Sequence, residues 1–234
     1  MFDFIINIDH EISKQLINYL KPYVLPSELI EKISNANEVK GLVSALMFWF
    51  LWFYQVKHKE NSRSQLWAIL AVTIFSIALG RALANFLPFR PRPRANFEVV
   101  GSEVVQNSFF EEWSSMPSDH AIMFFALSTG FFLISRKVGA LAFLHAILIV
   151  CLPRLLLGLH YASDIIVGAA IGMLLSAVLV PILSRMFFDK FDESKYPNFI
   201  LYPFLFFMTY SFATMFNGVR EVGGIVKILI QKII

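Results

Sequence analysis

The chain has 234 residues, of which 57% are hydrophobic and 25 are Phe, and its mean hydropathy is positive. This apolar content exceeds what a soluble domain of this size buries, so the composition indicates an integral membrane protein. The net charge is only +3 and the basic residues are scattered, which argues against nucleic-acid binding and favours the bilayer as a partner. A single cysteine, Cys151, excludes an internal disulfide.

Residues 1–40 are predicted to form amphipathic helices that lie in the membrane interface. Apolar residues recur there at helical spacing with charges between them, and Pro22 and Pro26 interrupt the pattern. Because apolar and charged residues alternate from the start, a cleavable signal peptide is not expected. A second amphipathic segment is predicted at the C-terminus, over residues 217–234.

Residues 41–216 are predicted to form one domain, an all-α bundle of about six transmembrane helices. A hydrocarbon core of about 30 Å requires roughly 20 helical residues. Several apolar stretches fall slightly short of that length and are completed by interfacial aromatic residues such as Trp49 and Trp67. The six predicted spans are 41–56, 65–87, 121–135, 138–157, 164–184 and 198–216.

The charges of the loops predict the orientation of this bundle. With six spans, loops 57–64, 136–137 and 185–197 share one side, and they are dense in Lys and Arg. Short loops with this composition mark the cytoplasmic face. Both termini and the loops 88–120 and 158–163 are then expected on the exterior.

Three arginines, Arg90, Arg92 and Arg94, alternate with prolines just after the second predicted span. Proline fixes φ and disfavours helix in the residue before it, so this strip is predicted to be extended, with guanidinium groups near the membrane surface. An anchor for lipid headgroups or a stop-transfer flank is one interpretation. Phosphate binding is the other, because a planar guanidinium donates two hydrogen bonds at once.

The sequence SSMPSDH, residues 114–120, runs directly into the third predicted span. Pro117 suits the first turn of a helix, which would place Ser118, Asp119 and His120 at a helix N-terminus. Unpaired N–H groups and the helix dipole favour an anion at such a position. The alternative is that Ser118 and Asp119 are ordinary capping residues and His120 is an interfacial histidine.

A third polar segment, PRLLLGLHYASD, lies between spans four and five. His160 and Asp164 are four residues apart, within reach of each other. A carboxylate beside an imidazole keeps one ring nitrogen protonated and leaves the other free to react. Arg154 requires an anion, water or carbonyls at the membrane face, and Gly158 is predicted to break the helix so that Arg154 and His160 face one point. An interfacial histidine beside a capping carboxylate is the alternative.

Together these groups suit phosphoryl transfer, and no metal-binding cluster accompanies them. Residues 81–164 resemble the type 2 phosphatidate phosphatase superfamily, which also includes acid phosphatases and vanadium haloperoxidases. Its motifs are Lys-x6-Arg-Pro, Pro-Ser-Gly-His and Ser-Arg-x5-His-x3-Asp. The chain matches the second motif at 117–120 and the third at 153–164, where Pro153 replaces the Ser. The first motif is partial, because Asn85 stands where the family has Lys.

The resemblance implies a role for each matched residue. His160 would be the nucleophile that forms a phosphohistidine, Asp164 would orient its ring, and His120 would act first as general acid and then as base. The groups implied to hold the phosphate oxygens are Arg92, Ser118, the backbone N–H of Asp119 and Arg154. Neither a cofactor nor a metal ion is expected.

Two departures from the family motifs affect the predicted pocket. Asn85 brings no charge, and Arg81, one turn earlier on the same helix face, or Arg90 is expected to compensate. Asp119 replaces a Gly and adds a negative charge, so it is predicted to pair with an arginine. On this basis Asp119→Gly is expected to preserve activity.

The resemblance implies a phosphatase of the inner membrane that acts at its outer face on a lipid phosphate. Undecaprenyl diphosphate, phosphatidylglycerol phosphate, phosphatidate and lipid A phosphates fit this description, and the first is preferred. One alternative is a non-catalytic protein that binds or transports lipid phosphates, which the residues at positions 85 and 119 leave open. A vanadate-dependent haloperoxidase is the other, and it is disfavoured because such members are usually soluble and larger.

Overall fold

A computed structural model of the chain shows helices, without a strand in the part of the chain that it describes. The predicted all-α class is therefore confirmed. Arg94 and the predicted segment 217–234 lie outside the described residues. The structure describes residues 2–20, 27–55, 62–93, 114–186 and 197–214.

The helices form over the amphipathic N-terminal segment and over the long apolar stretches of the sequence. The sixth, α6, contains a π-helical turn at Ala146–Cys151 between two α-helical parts, Arg136–His145 and Leu152–Leu156. In chain order the helices are α1 (Phe2–Leu20), α2 (Ser27–Asn35), α3 (Asn37–Gln55), α4 (Ser62–Phe86), α5 (Asp119–Ile134), α6 (Arg136–Leu156), α7 (Ala162–Met186) and α8 (Asn198–Ala213).

The described residues contain three helices that are long and apolar enough to cross a membrane, Arg63–Phe86, Arg136–Leu156 and Ala162–Met186. The other predicted spans correspond to shorter apolar helices in α3, α5 and α8. Helix α5, for example, has 16 residues and lies between two serines, so at about 1.5 Å per residue it is shorter than a typical hydrocarbon core of about 30 Å. The chain is a multi-pass membrane protein, and the count of six full spans stays a prediction.

Helix α5 forms the centre of the bundle and packs most extensively against α7. Two glycines of α7 make this contact close. A Cβ at Gly172 would lie 2.2 Å from the carbonyl oxygen of Ile122, and one at Gly168 would lie 2.7 Å from that of Ser118. Small residues allow helix backbones to approach in this way. The contact therefore fixes the N-terminal end of α5 against the first turns of α7.

The N-terminal helices lie at the same end of the bundle. Helices α1 and α2 both contact the final segment of α6, Leu152–Leu156, and α1 also contacts α7. After α6 the chain turns at Gly158, whose φ is 62°. That conformation is strained for residues with a side chain, so glycine suits the turn. The break predicted at Gly158 is confirmed, and it leads directly to His160.

Replacing Gly172 with Ala is expected to destabilise the bundle. The added Cβ would lie 2.2 Å from a backbone oxygen of α5, so the two helices must separate. We expect a lower midpoint of thermal unfolding in detergent, corresponding to about 1–3 kcal/mol. The control Ala177→Leu adds a larger group at an exposed position of α7 and should leave the midpoint unchanged. Equal midpoints for G172A and the wild type would contradict the close packing.

Candidate active site

His160 lies in the turn between α6 and α7 and is buried, with 3% of its surface exposed. Its Nδ1 is 2.8 Å from the carbonyl oxygen of Ser115 and 3.8 Å from Oδ2 of Asp164. Both neighbours are acceptors, so Nδ1 carries the proton and Nε2 keeps its lone pair. The predicted pair of His160 with Asp164 is present at ion-pair distance. The Ser115 carbonyl, which sequence analysis missed, is the nearer partner.

The charge state of His160 follows from its surroundings. Burial lowers the pKa of His160, since the charged imidazolium loses its hydration. The Asp164 carboxylate opposes this effect, whereas the positive charges of Arg92 and Arg154 lower the pKa further. The ring is therefore neutral at pH 7. Arg92 is held nearby, because its Nη1 donates a hydrogen bond of 2.8 Å to the carbonyl oxygen of Leu159.

Asp164 is fully buried in the first turn of α7. Its Oδ2 accepts a hydrogen bond of 2.8 Å from the N–H of Tyr161, the residue before the helix, and its Oδ1 lies 2.7 Å from Nη1 of Arg90. The Asp164 carbonyl oxygen also accepts a hydrogen bond of 3.2 Å from the N–H of Ser118. A buried carboxylate is costly unless it is paired in this manner. Asp164 thus connects the Arg-Pro strip, the SSMPSDH segment and His160.

His120 lies in the first turn of α5 with its two ring nitrogens in different surroundings. Its Nδ1 is 2.8 Å from Oδ1 of Asp119, and its Nε2 is 2.5 Å from Nη2 of Arg154. A guanidinium only donates, so Nε2 accepts and Nδ1 carries the proton in this arrangement. Asp119 also forms an ion pair of 2.7 Å with Arg81. The predicted pairing of Asp119 with an arginine is confirmed.

Arg154, which contacts His120, lies in the last part of α6, just after the π-helical turn. Such a turn contains an extra residue and rotates every later side chain by about 100° relative to a regular helix. Two buried polar atoms beside the histidines, Arg154 Nε and Ser115 Oγ, lack a hydrogen-bond partner among the described residues. Unpaired buried groups are unusual in proteins. Both atoms can donate a hydrogen bond, so they are suited to an anionic ligand.

The other predicted site residues are distributed around this centre. Ser118 caps α5, with its Oγ accepting from the N–H of Ala121 at 3.4 Å. Its capping role is thus observed, and its contact with phosphate stays a prediction. Because α5 begins at Asp119, Pro117 lies before the cap instead of in the first helical turn. Asn85 is exposed near the end of α4.

The N-terminal helix also contributes to this region, which sequence analysis did not predict. Asp9 of α1 forms an ion pair with Arg90 and accepts a hydrogen bond of 2.6 Å from the hydroxyl of Ser163. These contacts join residues far apart in the chain, so no local pattern indicates them. Arg90, predicted as an auxiliary phosphate-binding residue, lies here between Asp9 and Asp164.

No group of three His, Cys, Asp or Glu side chains within the described ranges is arranged to hold a metal ion. The site instead brings together two imidazoles that both carry their proton on Nδ1, and the guanidinium of Arg154 lies against one of them. One ring offers a free Nε2 lone pair and the other faces a cation. This arrangement suits nucleophilic attack on an anionic group.

Comparison with known proteins identifies a family and two relatives of the chain. A family model described as the PAP2 superfamily matches residues 65–188, which contain the three motif segments. The bacitracin transport permease protein BcrC of Bacillus licheniformis is 31% identical over 162 residues, 66% of this chain and 74% of the relative. Lipid A 1-diphosphate synthase of Escherichia coli (strain K12) is 32% identical over 90 residues, 36% of this chain and 38% of the relative. No solved structure matches the chain significantly.

Replacing His160 with Gln is expected to reduce the loss of folding stability that occurs when the pH falls below about 7. Because the pKa of His160 is lowered from 6.5 in the folded chain, the unfolded chain binds a proton more readily. The stability contributed by the neutral ring is therefore complete above pH 6.5 and is lost as the pH falls through the folded pKa. Thermal unfolding in detergent between about pH 7 and about pH 5 should show a smaller decrease for H160Q than for the wild type. Equal decreases in the unfolding midpoints of H160Q and the wild type would contradict the lowered pKa of His160.

Proposed function

The chain belongs to the PAP2 superfamily and is a membrane lipid phosphatase, and from that premise we propose that it acts through a phosphohistidine on His160 without a metal ion. The observation that carries the proposal is the geometry of His160. Its Nδ1–H faces the Ser115 carbonyl at 2.8 Å, so the free lone pair is on Nε2. A neutral imidazole with a fixed tautomer is a competent nucleophile for phosphorus.

In the first step, Nε2 of His160 attacks phosphorus and forms an N–P bond. The bond between phosphorus and the leaving oxygen breaks, and His120 donates the proton that this oxygen acquires. The ring of His160 becomes cationic as the bond forms, and the Asp164 carboxylate 3.8 Å away stabilises that charge. Arg92, Arg154 and the N-terminus of α5 stabilise the developing negative charge on the phosphate oxygens.

Arg154 has a second role in this proposed mechanism, which is to control the protonation of His120. In the structure its Nη2 donates to Nε2 of His120, so a proton can reach that nitrogen only after Arg154 moves away. A phosphate dianion attracts the guanidinium more strongly than a neutral imidazole does. Substrate binding then draws Arg154 to the phosphate and leaves Nε2 of His120 free to take up a proton. In the second step His120 accepts a proton from water as the water attacks phosphorus, the N–P bond breaks, and inorganic phosphate leaves.

We place the site at the outer face of the inner membrane. Helix α5 has His120 in its first turn and ends just before Ser135, which Arg136 and Lys137 follow at the start of α6, and its 16 residues span about 24 Å. These two basic residues are therefore at the opposite end of α5 from the site, and basic residues in short connections favour the cytoplasm. A substrate there would present its phosphate at headgroup level with its tail in the bilayer. Undecaprenyl diphosphate is the preferred lipid among the four that fit.

A second candidate function is the binding or transport of a lipid phosphate without hydrolysis. The name of the Bacillus relative, a transport permease protein, supports it. So does Asn85, which places no positive charge where the family has Lys and is exposed in the structure. Both functions use the same pocket, so only turnover distinguishes them.

A phosphate-release assay across the four lipids tests the proposal. We expect the wild type to release phosphate fastest from undecaprenyl diphosphate, with the same rate when a metal chelator is present. His160→Ala should lower kcat by at least about a thousandfold, because the nucleophile is lost. The matched control His58→Ala, in the predicted cytoplasmic loop, should keep the wild-type rate. Label from a phosphorus-labelled substrate should remain on the wild type after alkaline quench and be absent from H160A.

Each contrary outcome of this assay has a separate meaning. Lipid binding without phosphate release would support the binding or transport function. A rate that the chelator abolishes would contradict the metal-independent mechanism, and an active H160A would exclude His160 as the nucleophile. Halide oxidation that requires added vanadate would instead support the haloperoxidase alternative.

The geometry of Asp119 changes the expectation for its replacement. From sequence, Asp119→Gly was expected to preserve activity, but its carboxylate is the acceptor that holds Nδ1 of His120. Without it the ring is free to rotate and change tautomer. We expect kcat of D119G to fall about 10- to 100-fold, with KM within about twofold. Arg81→Gln, which removes the ion pair and leaves the contact with His120, should cost less. A normal kcat for D119G would contradict this role.

A further inference from the structure

We propose that Asp9 and Arg90 form a clamp that positions Asp164 and His160. Because Asp9 lies in helix α1, this helix then contributes to the geometry of the active site. The clamp is defined by Asp9, Arg90 and Ser163. It rests on the proposed function, because it acts on the nucleophile assigned there. Asp9 and Arg90 are positioning residues, since neither is required to touch the substrate.

Arg90 is the centre of the clamp. Its Nη1 lies 2.7 Å from Oδ1 of Asp164 and donates a hydrogen bond of 2.9 Å to Oγ of Ser163, and its Nη2 pairs with Oδ2 of Asp9. The guanidinium carbon lies 4.0 Å from the centre of the Tyr161 ring, a distance at which a cation and an aromatic face attract. The group is thus fixed from several sides.

The charges around Arg90 explain why it positions rather than binds phosphate. Its side chain is 16% exposed, and the carboxylates that face it are 12% exposed in Asp9 and 0% in Asp164. Two carboxylates compensate one guanidinium, so little positive charge remains for an anionic substrate. Asp164 is itself held 3.8 Å from His160. A displacement of Arg90 would therefore move the carboxylate that stabilises the nucleophile.

Helix α1 supplies the other half of the clamp by capping α7. The first N–H groups of a helix lack partners within the helix. In α7 the N–H of Ser163 donates to Oδ1 of Asp9 at 3.2 Å, and the N–H of Ala162 donates to Oγ of Ser13 at 3.0 Å. The negative charge of Asp9 also suits the positive end of the α7 dipole. An N-terminal helix from outside the motif region thus fixes the turn that carries Asp164.

The test is a double-mutant cycle on a lipid that the wild type hydrolyses. Asp9→Asn keeps the shape and one oxygen acceptor but removes the charge that Arg90 faces. We expect D9N to lower kcat about tenfold and R90Q about a hundredfold, with KM within about twofold, because the nucleophile is misplaced while binding is retained. If Asp9 acts through Arg90, D9N/R90Q should match R90Q alone within about twofold. Asp9→Glu, which restores the charge, should recover activity relative to D9N.

Glu11→Gln is the matched control. It removes the same charge from the same helix at an exposed position, where the carboxylate accepts a hydrogen bond from Gln15. Its kcat should equal that of the wild type. A D9N variant with wild-type kcat, losses that multiply in the double mutant, or an effect confined to KM would each overturn the clamp while leaving the proposed function in place.

Hydrogen exchange gives a readout that does not require turnover. The peptide that contains Ala162 and Ser163 should exchange faster in D9N than in E11Q, because the first N–H groups of α7 lose part of their cap. If the wild type hydrolyses no lipid, the proposed function fails, and this exchange measurement alone decides whether the clamp exists. Equal exchange in D9N and E11Q would then overturn it.

Discussion

The site depends on one buried carboxylate, that of Asp164. Its side chain is fully buried, where an unpaired charge would be severely destabilising. Partners therefore come from several segments: Arg90 from the Arg-Pro strip, the Tyr161 N–H from the turn before α7, and His160 at ion-pair distance. The need to satisfy this charge brings the first and third motifs together. The backbone carbonyl oxygen of Asp164 accepts a hydrogen bond from the N–H of Ser118, which brings the second motif to the same place.

The two histidines of this site have the same tautomer but different partners at Nε2, which makes them chemically unequal. Nδ1 of His160 faces a backbone carbonyl and Nδ1 of His120 faces the Asp119 carboxylate, so both rings turn Nε2 away from these acceptors. Arg154 donates to one of the two Nε2 atoms, that of His120. The Nε2 of His160 therefore has a free lone pair, whereas the Nε2 of His120 accepts a hydrogen bond from a cation. Two identical side chains are thus placed in different electrostatic surroundings by their partners.

Packing and chemistry are coupled at the contact of α5 with α7. Gly168 meets the backbone of Ser118, the residue that caps α5, and Gly172 meets the backbone one turn further along. Without side chains at these positions the helices approach closely, and His120 at the start of α5 is held near Asp164 at the start of α7. Helix α1 then fixes the N-terminal end of α7 through the first N–H groups of α7. Stability of the bundle and geometry of the site thus rest on the same few contacts.

The sequence by itself determined the apolar helices, the break at Gly158, the approach of Asp164 to His160 and the pairing of Asp119 with an arginine. Each of these follows from composition, local spacing or an uncompensated charge, which are properties of the chain. The tertiary structure alone decided that Arg81 is that arginine, that the Ser115 carbonyl holds His160, and that Asp9 reaches Arg90. A backbone carbonyl is common to every residue type, and Asp9 and Arg90 are 81 residues apart in the chain. Such contacts have no sequence pattern because they exist only when distant helices pack together.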